Sequence, residues 1–155
     1  MAGTIDGRLA ELGIELPQAA SPVGSYLAYT VSGNNVYISG QLPMSEGELK
    51  FKGKLGDEFG EDEGYKAAEL CGLNIIAQLK EACSGNLDKV TRCLKLGGFV
   101  NSTPGFRQQP KIINGASDLM FKVFGKKGKH ARFAVSAASL PFGVAVEVDA
   151  IFEIA

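Results

Sequence analysis

The chain has 155 residues, enough for one domain of ordinary size, and its basic and acidic residues nearly cancel, with a formal net charge of −1. This balance lacks the positive excess that nucleic-acid-binding modules usually carry, which argues against nucleic acid as a partner. A composition of 45% apolar and 21% charged residues also excludes a disordered chain.

Cysteine and histidine usage narrows the compartment and the chemistry. Cys71, Cys83 and Cys93 form no CxxC pair and leave at least one thiol free in a monomer, which favours a reducing compartment. We expect all three thiols to be buried and unreactive. Residues 1–16 lack the apolar stretch of a signal peptide, and nowhere do about eighteen apolar residues run together, so we expect a soluble cytoplasmic protein without a membrane partner. His130 is the single histidine, which excludes a site of two histidines from one chain.

Glycines and prolines divide the first part of the chain into short elements. An amphipathic helix is predicted over residues 6–12 and ends at Gly13. An extended segment follows, because the residues before Pro17 and Pro22 are disfavoured in helices. The next elements are two strands of a hairpin, a short strand and an acidic loop, at residues 25–31, 35–42, 48–52 and 57–64.

Two longer helices are predicted from apolar residues at helical spacing. The first covers residues 62–83 and is stopped by Gly85. The second covers residues 110–124, with Pro110 in its first turn. The buried side of the second helix is predicted to comprise Ile113, Leu119, Met120 and Val123.

Strands are predicted over residues 90–100, 132–139 and 144–154. Strands that alternate with helices indicate an α+β fold in which the two helices pack on one face of a mixed sheet. Since nothing marks a second domain, we expect a single domain over residues 1–155 with an N-terminal extension at 1–21.

The last two strands are expected to form a hairpin through Leu140-Pro141-Phe142-Gly143. In that register one face is apolar and the other is mixed. The mixed face comprises Arg132, Ala134, Ser136, Ala138, Ala145, Glu147, Asp149 and Ile151. Antiparallel sheets commonly expose such a face to water. Its small residues favour a different hypothesis, in which the face leaves room for a ligand or another subunit.

Two sequence motifs are recognisable, one in the first third of the chain and one near its C-terminal end. The first is Tyr37-Ile-Ser-Gly-Gln-Leu-Pro43. In the second, Arg132 opens a strand, Leu140-Pro141 makes the turn and the acidic strand 144–151 follows. Together they resemble the motifs of the RidA (YjgF-like) family of enamine/imine deaminases, over residues 22–154. The opening Ile14-Glu-Leu-Pro17 and the longer acidic loop near Asp57 are similar to a longer branch of the family, described as chorismate-mutase-like or as an endoribonuclease.

The resemblance implies a chorismate-mutase-like (YjgF-like) α+β fold assembled as a homotrimer, with clefts between subunits. In the family, such clefts hydrolyse enamines and imines derived from amino acids, such as 2-aminoacrylate, to a 2-oxo acid and ammonia. The implied ligand is a small carboxylate-bearing metabolite, and no metal or organic cofactor is implied.

Two charged residues match family positions with a chemical role. Arg132 matches the carboxylate-binding arginine, and a planar guanidinium suits a bidentate carboxylate pair. Glu147 matches the acidic residue that orients or activates the attacking water, and a shielded carboxylate can act as a general base. Asp149 is expected to be structural or interfacial.

Three residues near the first motif match positions that shape the cleft. Ser39 supplies a hydroxyl, and Gly40 lets a ligand approach the backbone, although Gly40 also fits a β-bulge. Tyr26 matches a tyrosine that lines the cleft, although an aromatic residue at a strand start also fits core packing.

Three further positions, one on the second long helix and two in the second motif, bear on the ligand. Asn114 matches a helix asparagine near the site, and a capping or surface role is equally open. Ala134 stands where the family usually has a cysteine, and Phe133 where it has a small polar residue. These two departures leave the substrate open.

Other motifs carry less weight. The basic segment 125–130 lacks the spacing of a phosphate-binding loop, and the acidic loop 57–63 lacks that of a calcium loop. His130 has no partner that the sequence reveals. The alternatives to a deaminase are a non-catalytic trimer that binds a keto acid and an endoribonuclease. Chorismate mutase activity ranks last, because a shared fold does not carry chemistry.

Overall fold

The computed structural model describes residues 3–155, so the first two residues of the predicted domain lie outside the described residues. The helices are α1 (Thr4–Glu11), α2 (Glu61–Ala82) and α3 (Gln109–Phe124). The strands are β1 (Tyr29–Ser32), β2 (Asn35–Gln41), β3 (Met44–Ser45), β4 (Glu48–Leu49), β5 (Val90–Asn101), β6 (Ala131–Ala137) and β7 (Val146–Ile154). No helix within residues 3–155 combines the length and the apolar character required to cross a membrane.

The larger sheet has five strands in the order β1-β2-β7-β5-β6. β1 pairs with β2, and β7 lies antiparallel between β2 and β5, whereas β5 and β6 run parallel. A parallel pair needs a crossover connection, and α3 provides it. β3 and β4 form a separate small hairpin where the sequence predicts a single short strand. The α+β class with a mixed sheet is therefore confirmed.

The predicted hairpin between the last two strands is wrong. In the described chain β6 and β7 do not pair with each other, because β5 lies between them and pairs with both. The connecting segment pairs elsewhere, since Lys52 bridges to Val144 and the Ala145 amide donates to the Phe51 carbonyl at 2.8 Å. Consecutive strands are neighbours in only about two-thirds of cases.

The side chains of β6 consequently face the opposite way from the prediction. Across β5, Arg132 aligns with Ala150, on the face that the helices cover. Val135 aligns with Glu147, on the face that the helices leave open. Arg132 and Glu147 thus lie on opposite faces of the sheet rather than on one mixed face. We call the face that carries Glu147 the free face.

α2 and α3 pack against each other and against one face of the sheet, as predicted. The predicted buried side of α3 is confirmed, and the largest buried core side chains include Phe152 of β7 and Ile75 of α2. The two helices approach closely at Gly115, where a Cβ would overlap the Tyr65 carbonyl. This close packing fixes the position of α3 over β5 and β6.

The short helix predicted at the N-terminus forms as α1 and docks onto the end of α3. The amides of Thr4 and Ile5 donate to the two carboxylate oxygens of Asp88, each at 2.9 Å, which satisfies two of the free N–H groups at the helix start. Arg8 Nε donates to the Lys122 carbonyl at 2.9 Å. α1 therefore supports the helix that lies beside Arg132.

Candidate functional site

Arg132 lies at the start of the edge strand β6, next to α3. Its Nη1 donates hydrogen bonds to Asn114 Oδ1 at 2.8 Å and to Ser117 Oγ at 3.0 Å, and its Nη2 donates to the Pro110 carbonyl at 3.0 Å. The three acceptors recur at i, i+4 and i+7 of α3, which places them on one side of the helix. One face of α3 thus holds the guanidinium.

The positive charge of Arg132 has no ion-pair partner within residues 3–155. All three of its acceptors are neutral groups. The carboxylate of Asp118 acts on Arg132 only through space, and its Oδ2 accepts a hydrogen bond from the Tyr65 hydroxyl at 2.8 Å. Of the five guanidinium N–H groups, the one on Nε and one on Nη2 have no acceptor in the described chain. Two free donors suit an anion with two oxygens, such as a carboxylate.

Ser117 also contacts His130, since the Ser117 Oγ and His130 Nε2 atoms are 2.8 Å apart. On the other side of the ring, His130 Nδ1 is 2.6 Å from the Gly128 carbonyl oxygen. Burial lowers the pKa of His130, and the positive charges of Arg132 and Lys129 lower it further. We call the group formed by Arg132, Asn114, Ser117, His130 and the Pro110 carbonyl the Arg132 network.

Glu147 lies on the free face of β7, beside Gly40 of β2. The pairing of β2 with β7 shifts register between Ile38 and Gln41, so Gly40 does mark a β-bulge. A Cβ on Gly40 would overlap the Glu147 carboxylate, so this carboxylate occupies the space that a side chain at position 40 would take. Burial raises the pKa of Glu147, and the charge of Asp149 raises it further.

Gly40 and Glu147 line a cavity of about 770 Å³, within the range of small-molecule sites. The other walls come from the segment before β1, the β3–β4 hairpin and the turn before β7. Most of the wall is apolar, with Val23, Tyr26, Leu42, Met44, Leu49, Pro141 and Phe142. Lys52 and Glu48 add the remaining charges. We call this cavity the Glu147 cleft.

The structure divides the predicted site residues between these two places. Arg132 and Asn114 belong to the Arg132 network, whereas Glu147, Gly40 and Tyr26 belong to the Glu147 cleft. Two strand spacings and three residues along the strand separate the Cα atoms of Arg132 and Glu147, a distance of about 14 Å within one chain. Since they also lie on opposite faces, one chain does not bring both groups to the same ligand.

Ser39 and Ala134 lie near these places without entering them. The Ser39 hydroxyl donates to the Leu27 carbonyl at 2.7 Å and so fastens the bulge to the segment before β1. Ala134 shares the helix-covered face with Arg132 and packs against the core. Phe133 points to the free face, where its ring meets Phe99 edge-on with the centroids 5.2 Å apart. Phe133 therefore alters the free face rather than the surroundings of Arg132.

Sequence reasoning missed Ser117 and His130. Ser117 follows Asn114 by three residues, a spacing that places both on one side of a helix. His130 precedes Arg132 by two residues, a spacing that places both on one side of a strand. These two spacings are the signals that would have identified them.

The three cysteines are buried, and the acidic residues of the described chain are not grouped as metal ligands. Cys71, Cys83 and Cys93 are fully buried, as predicted. Burial raises the pKa of Cys93 to about 12 and raises that of Cys71 well above its usual value, so both stay protonated thiols. Across residues 3–155 no three His, Cys, Asp or Glu side chains cluster as metal ligands do.

Comparison with known proteins places this chain in a family. The family model described as "YjgF/chorismate_mutase-like, putative endoribonuclease" matches residues 6–153. The chain is 46% identical over 154 residues to a protein named TCP17 from Trypanosoma cruzi, covering 99% of this chain and 96% of that protein.

Solved structures agree with this result. The protein Atu1372 from Agrobacterium tumefaciens is 50% identical with a TM-score of 0.91, and the alignment covers 97% of this chain and 92% of that one. RidA from an Antarctic Psychrobacter is 28% identical with a TM-score of 0.60, and the alignment covers 91% of this chain and 98% of that one. The resemblance found in the sequence is confirmed, and the protein belongs to the YjgF/chorismate-mutase-like family.

Proposed function

We propose that this protein hydrolyses reactive enamine and imine intermediates of amino acids, of the 2-aminoacrylate type, to 2-oxo acids and ammonia. An enamine first takes a proton on carbon to become the imine. Water then adds to the C=N carbon and the C–N bond breaks, so that R–C(=NH)–COO⁻ and H₂O give R–CO–COO⁻ and NH₃. Such a site needs a fixed cation for the carboxylate and a group that handles the proton of the water.

The observation that carries the proposal is the charge of Arg132, which forms no ion pair with any described residue. Three neutral acceptors on α3 orient its guanidinium, and two N–H groups without an acceptor in residues 3–155 remain for a ligand. An arginine whose only role was to hold α3 against β6 would not need to bind a carboxylate. The arrangement supports binding of a small anion with two oxygens, such as a 2-oxo or 2-imino acid.

Glu147 supplies the second requirement. Its burial in a mostly apolar cleft raises its pKa, which makes the ionised form a stronger base than an exposed glutamate. We assign Glu147 the removal of a proton from the attacking water and the return of a proton to the leaving nitrogen. Tyr26 and Gly40 shape the space around it.

Assembly as a homotrimer would bring the two requirements together. The Cα atoms of Arg132 and Glu147 lie about 14 Å apart, and their side chains are on opposite faces of one sheet. The free face exposes Tyr37, Phe99 and Val135, which are 42%, 37% and 43% accessible. We propose that this face packs against a neighbouring protomer, and that Arg132 of one protomer completes the Glu147 cleft of the next.

The test is release of ammonia from freshly generated 2-aminoacrylate. We expect Arg132→Met to lower kcat/KM by about a hundredfold, because two charge-assisted hydrogen bonds to the carboxylate are lost. Arg92→Met is the matched control, since Arg92 is an exposed arginine at the start of β5, and it should retain the wild-type rate. Equal rates for Arg132→Met and wild type, with the assembly intact, would remove Arg132 from the mechanism.

A non-catalytic keto-acid-binding trimer is the second candidate, because Ala134 stands in place of the cysteine usual in the family. Both candidates require Arg132 to bind a carboxylate, and they differ in turnover. Saturable binding of pyruvate without hydrolysis of any imine offered would favour the binding protein.

An endoribonuclease is the third candidate, as the description of the family model suggests. The net charge of −1 opposes it, and the basic turn after α3 is its local support. Ribonuclease activity that co-purifies with the protein and disappears on replacing Lys126, Lys127 and Lys129 with alanine would establish it.

A further inference from the structure

The hydrogen-bond chain behind Arg132 has a definite direction. The Gly128 carbonyl can only accept a hydrogen bond, so His130 Nδ1 carries the proton that it receives. In the neutral ring Nε2 then accepts a hydrogen bond, and the Ser117 hydroxyl is its donor. The Ser117 oxygen in turn accepts from Arg132 Nη1. Each group in the chain has one role, which fixes the rotation of the serine hydroxyl.

We propose that Ser117 and His130 are positioning residues that hold the Arg132 guanidinium in the orientation that binds the carboxylate of the ligand. This inference rests on the proposed function and adds two residues to it. Neither residue touches the ligand; both act through Arg132.

The turn before β6 is built to support this chain. A Cβ on Gly128 would overlap the Met120 carbonyl, so glycine lets the turn pack directly on the backbone of α3. That contact brings the Gly128 carbonyl within reach of His130 Nδ1. The imidazole is thereby anchored to the backbone, and Ser117 links it to the side chain that binds.

Burial is the largest cause of the lowered pKa of His130; its hydrogen bond to Gly128 acts against this, and nearby positive charges lower the pKa further. Lys129 on its own segment and Arg132 on β6 both disfavour a charged imidazole. On α3, Asp118 is engaged by Tyr65 of α2 and forms no ion pair with either group in the described chain. Since His130 stays a neutral acceptor, Ser117 donates its proton to the ring and offers its oxygen to Arg132.

Matched variants separate positioning from simple structural support. Ser117→Ala removes the link. A glutamine at position 130 places an amide oxygen near the site of Nε2, whereas an asparagine places an amide N–H near the site of Nδ1. His130→Gln therefore retains the acceptor for Ser117, and His130→Asn retains only the bond to Gly128. Ser32→Ala, at an exposed strand end, is the control for serine removal.

The readout is the Kd of the full-length protein for pyruvate and for the neutral analogue pyruvamide. For pyruvate we expect a five- to tenfold loss of affinity in Ser117→Ala and His130→Asn, about the contribution of one hydrogen bond, with His130→Gln within about twofold of wild type. Pyruvamide affinity should change less than about twofold in every variant, because it lacks the charge that Arg132 recognises.

Three outcomes overturn the inference, and they are distinguishable. If Arg132→Met abolishes pyruvate binding while Ser117→Ala and His130→Asn bind as wild type, positioning is wrong and the proposed function stands. If Ser117→Ala loses affinity for both ligands equally and also loses thermal stability, the hydrogen-bond chain behind Arg132 has only a structural role. If Arg132→Met binds pyruvate as tightly as wild type, the proposed function fails and the positioning inference fails with it.

Discussion

The Arg132 network and the Glu147 cleft place a charged side chain in opposite kinds of surroundings. In the network, neutral hydrogen-bond acceptors fix the orientation of the cation, and its charge has no ion-pair partner among residues 3–155. In the cleft, apolar walls surround the carboxylate and raise its pKa. Hydrogen bonds that fix direction suit recognition of an anion, whereas desolvation that shifts a pKa suits proton transfer. The contrast predicts that changes in the network alter binding and that changes in the cleft alter turnover.

The largest effect is expected from Glu147→Gln. This change removes the base while nearly preserving shape, so kcat for 2-aminoacrylate hydrolysis should fall at least about a hundredfold. The Kd for pyruvate should change less than about threefold, because Arg132 and not Glu147 binds the carboxylate of pyruvate. Asp149→Asn, on the same face of β7, is the control and should retain most of kcat. Equal losses in both variants would contradict a specific role for Glu147.

The pH dependence of the rate follows from the raised pKa of Glu147. A raised pKa means that the carboxylate ionises at a pH above its ordinary 4.5, so the active basic form appears only as the pH rises through that higher value. Below it, kcat/KM should fall about tenfold per pH unit. The residual activity of Arg132→Met should show the same inflection, whereas that of Glu147→Gln should show none. An inflection that moves with Arg132 instead would place the titrating group in the network.

A smaller effect is expected from Gly40→Ala. The added methyl group overlaps the Glu147 carboxylate and must displace it. We expect kcat to fall about three- to tenfold while pyruvate affinity holds, since a small misplacement of a catalytic group is costly. Gly33→Ala, in the β1–β2 turn with open space around its Cβ, is not a clean control because its φ is +60°. Gly7→Ala, at an open helical position of α1, is the better one.

The smallest effect is expected from Asp88→Ala, which frees the start of α1. The amides of Thr4 and Ile5 should exchange faster with solvent, and pyruvate affinity should fall about twofold at most, because α1 supports α3 from behind. Turnover in the Glu147 cleft should not change. Asp88→Asn, which retains one acceptor oxygen, should lie between Asp88→Ala and wild type.

Lowering the pH should release the start of α1 in the wild-type protein, as Asp88→Ala does. The amides of Ile5 and Thr4 lower the pKa of Asp88. The stabilisation is therefore fully present above the unfolded-state pKa of about 3.9 and is lost as the pH falls through the lower folded-state value. Amide exchange at α1 that is insensitive to pH across this range would contradict the capping role.

Local patterns predicted the helices and most strands well. Apolar spacing located α2 and α3 within a residue at each end, because each pattern describes one side of one helix. The partners of β6 and β7 depend instead on where β5 lies, and β5 is distant in sequence from both. The assumption that a short connection makes a hairpin was therefore wrong. As a result, every β6 side chain was predicted on the wrong face of the sheet.

The candidate site was predictable in the same uneven way. The motifs indicated Arg132 and Glu147 individually, and the i, i+3 spacing of Asn114 and Ser117 was available on the helix. That Arg132 meets α3 while Glu147 meets the bulge at Gly40 followed only from the assembled sheet.

The amino-acid sequence alone determined the class of fold, the burial of the cysteines and the family, because composition, periodicity and short motifs are carried by residues close together in the chain. The tertiary structure decided that α3 holds Arg132 with no counter-ion among residues 3–155, and that Glu147 lies on the opposite face in a mostly apolar cleft. The physical reason is that desolvation and hydrogen-bond geometry are set by the groups that surround a side chain in space. Those groups come from strands and helices that only the completed sheet brings together.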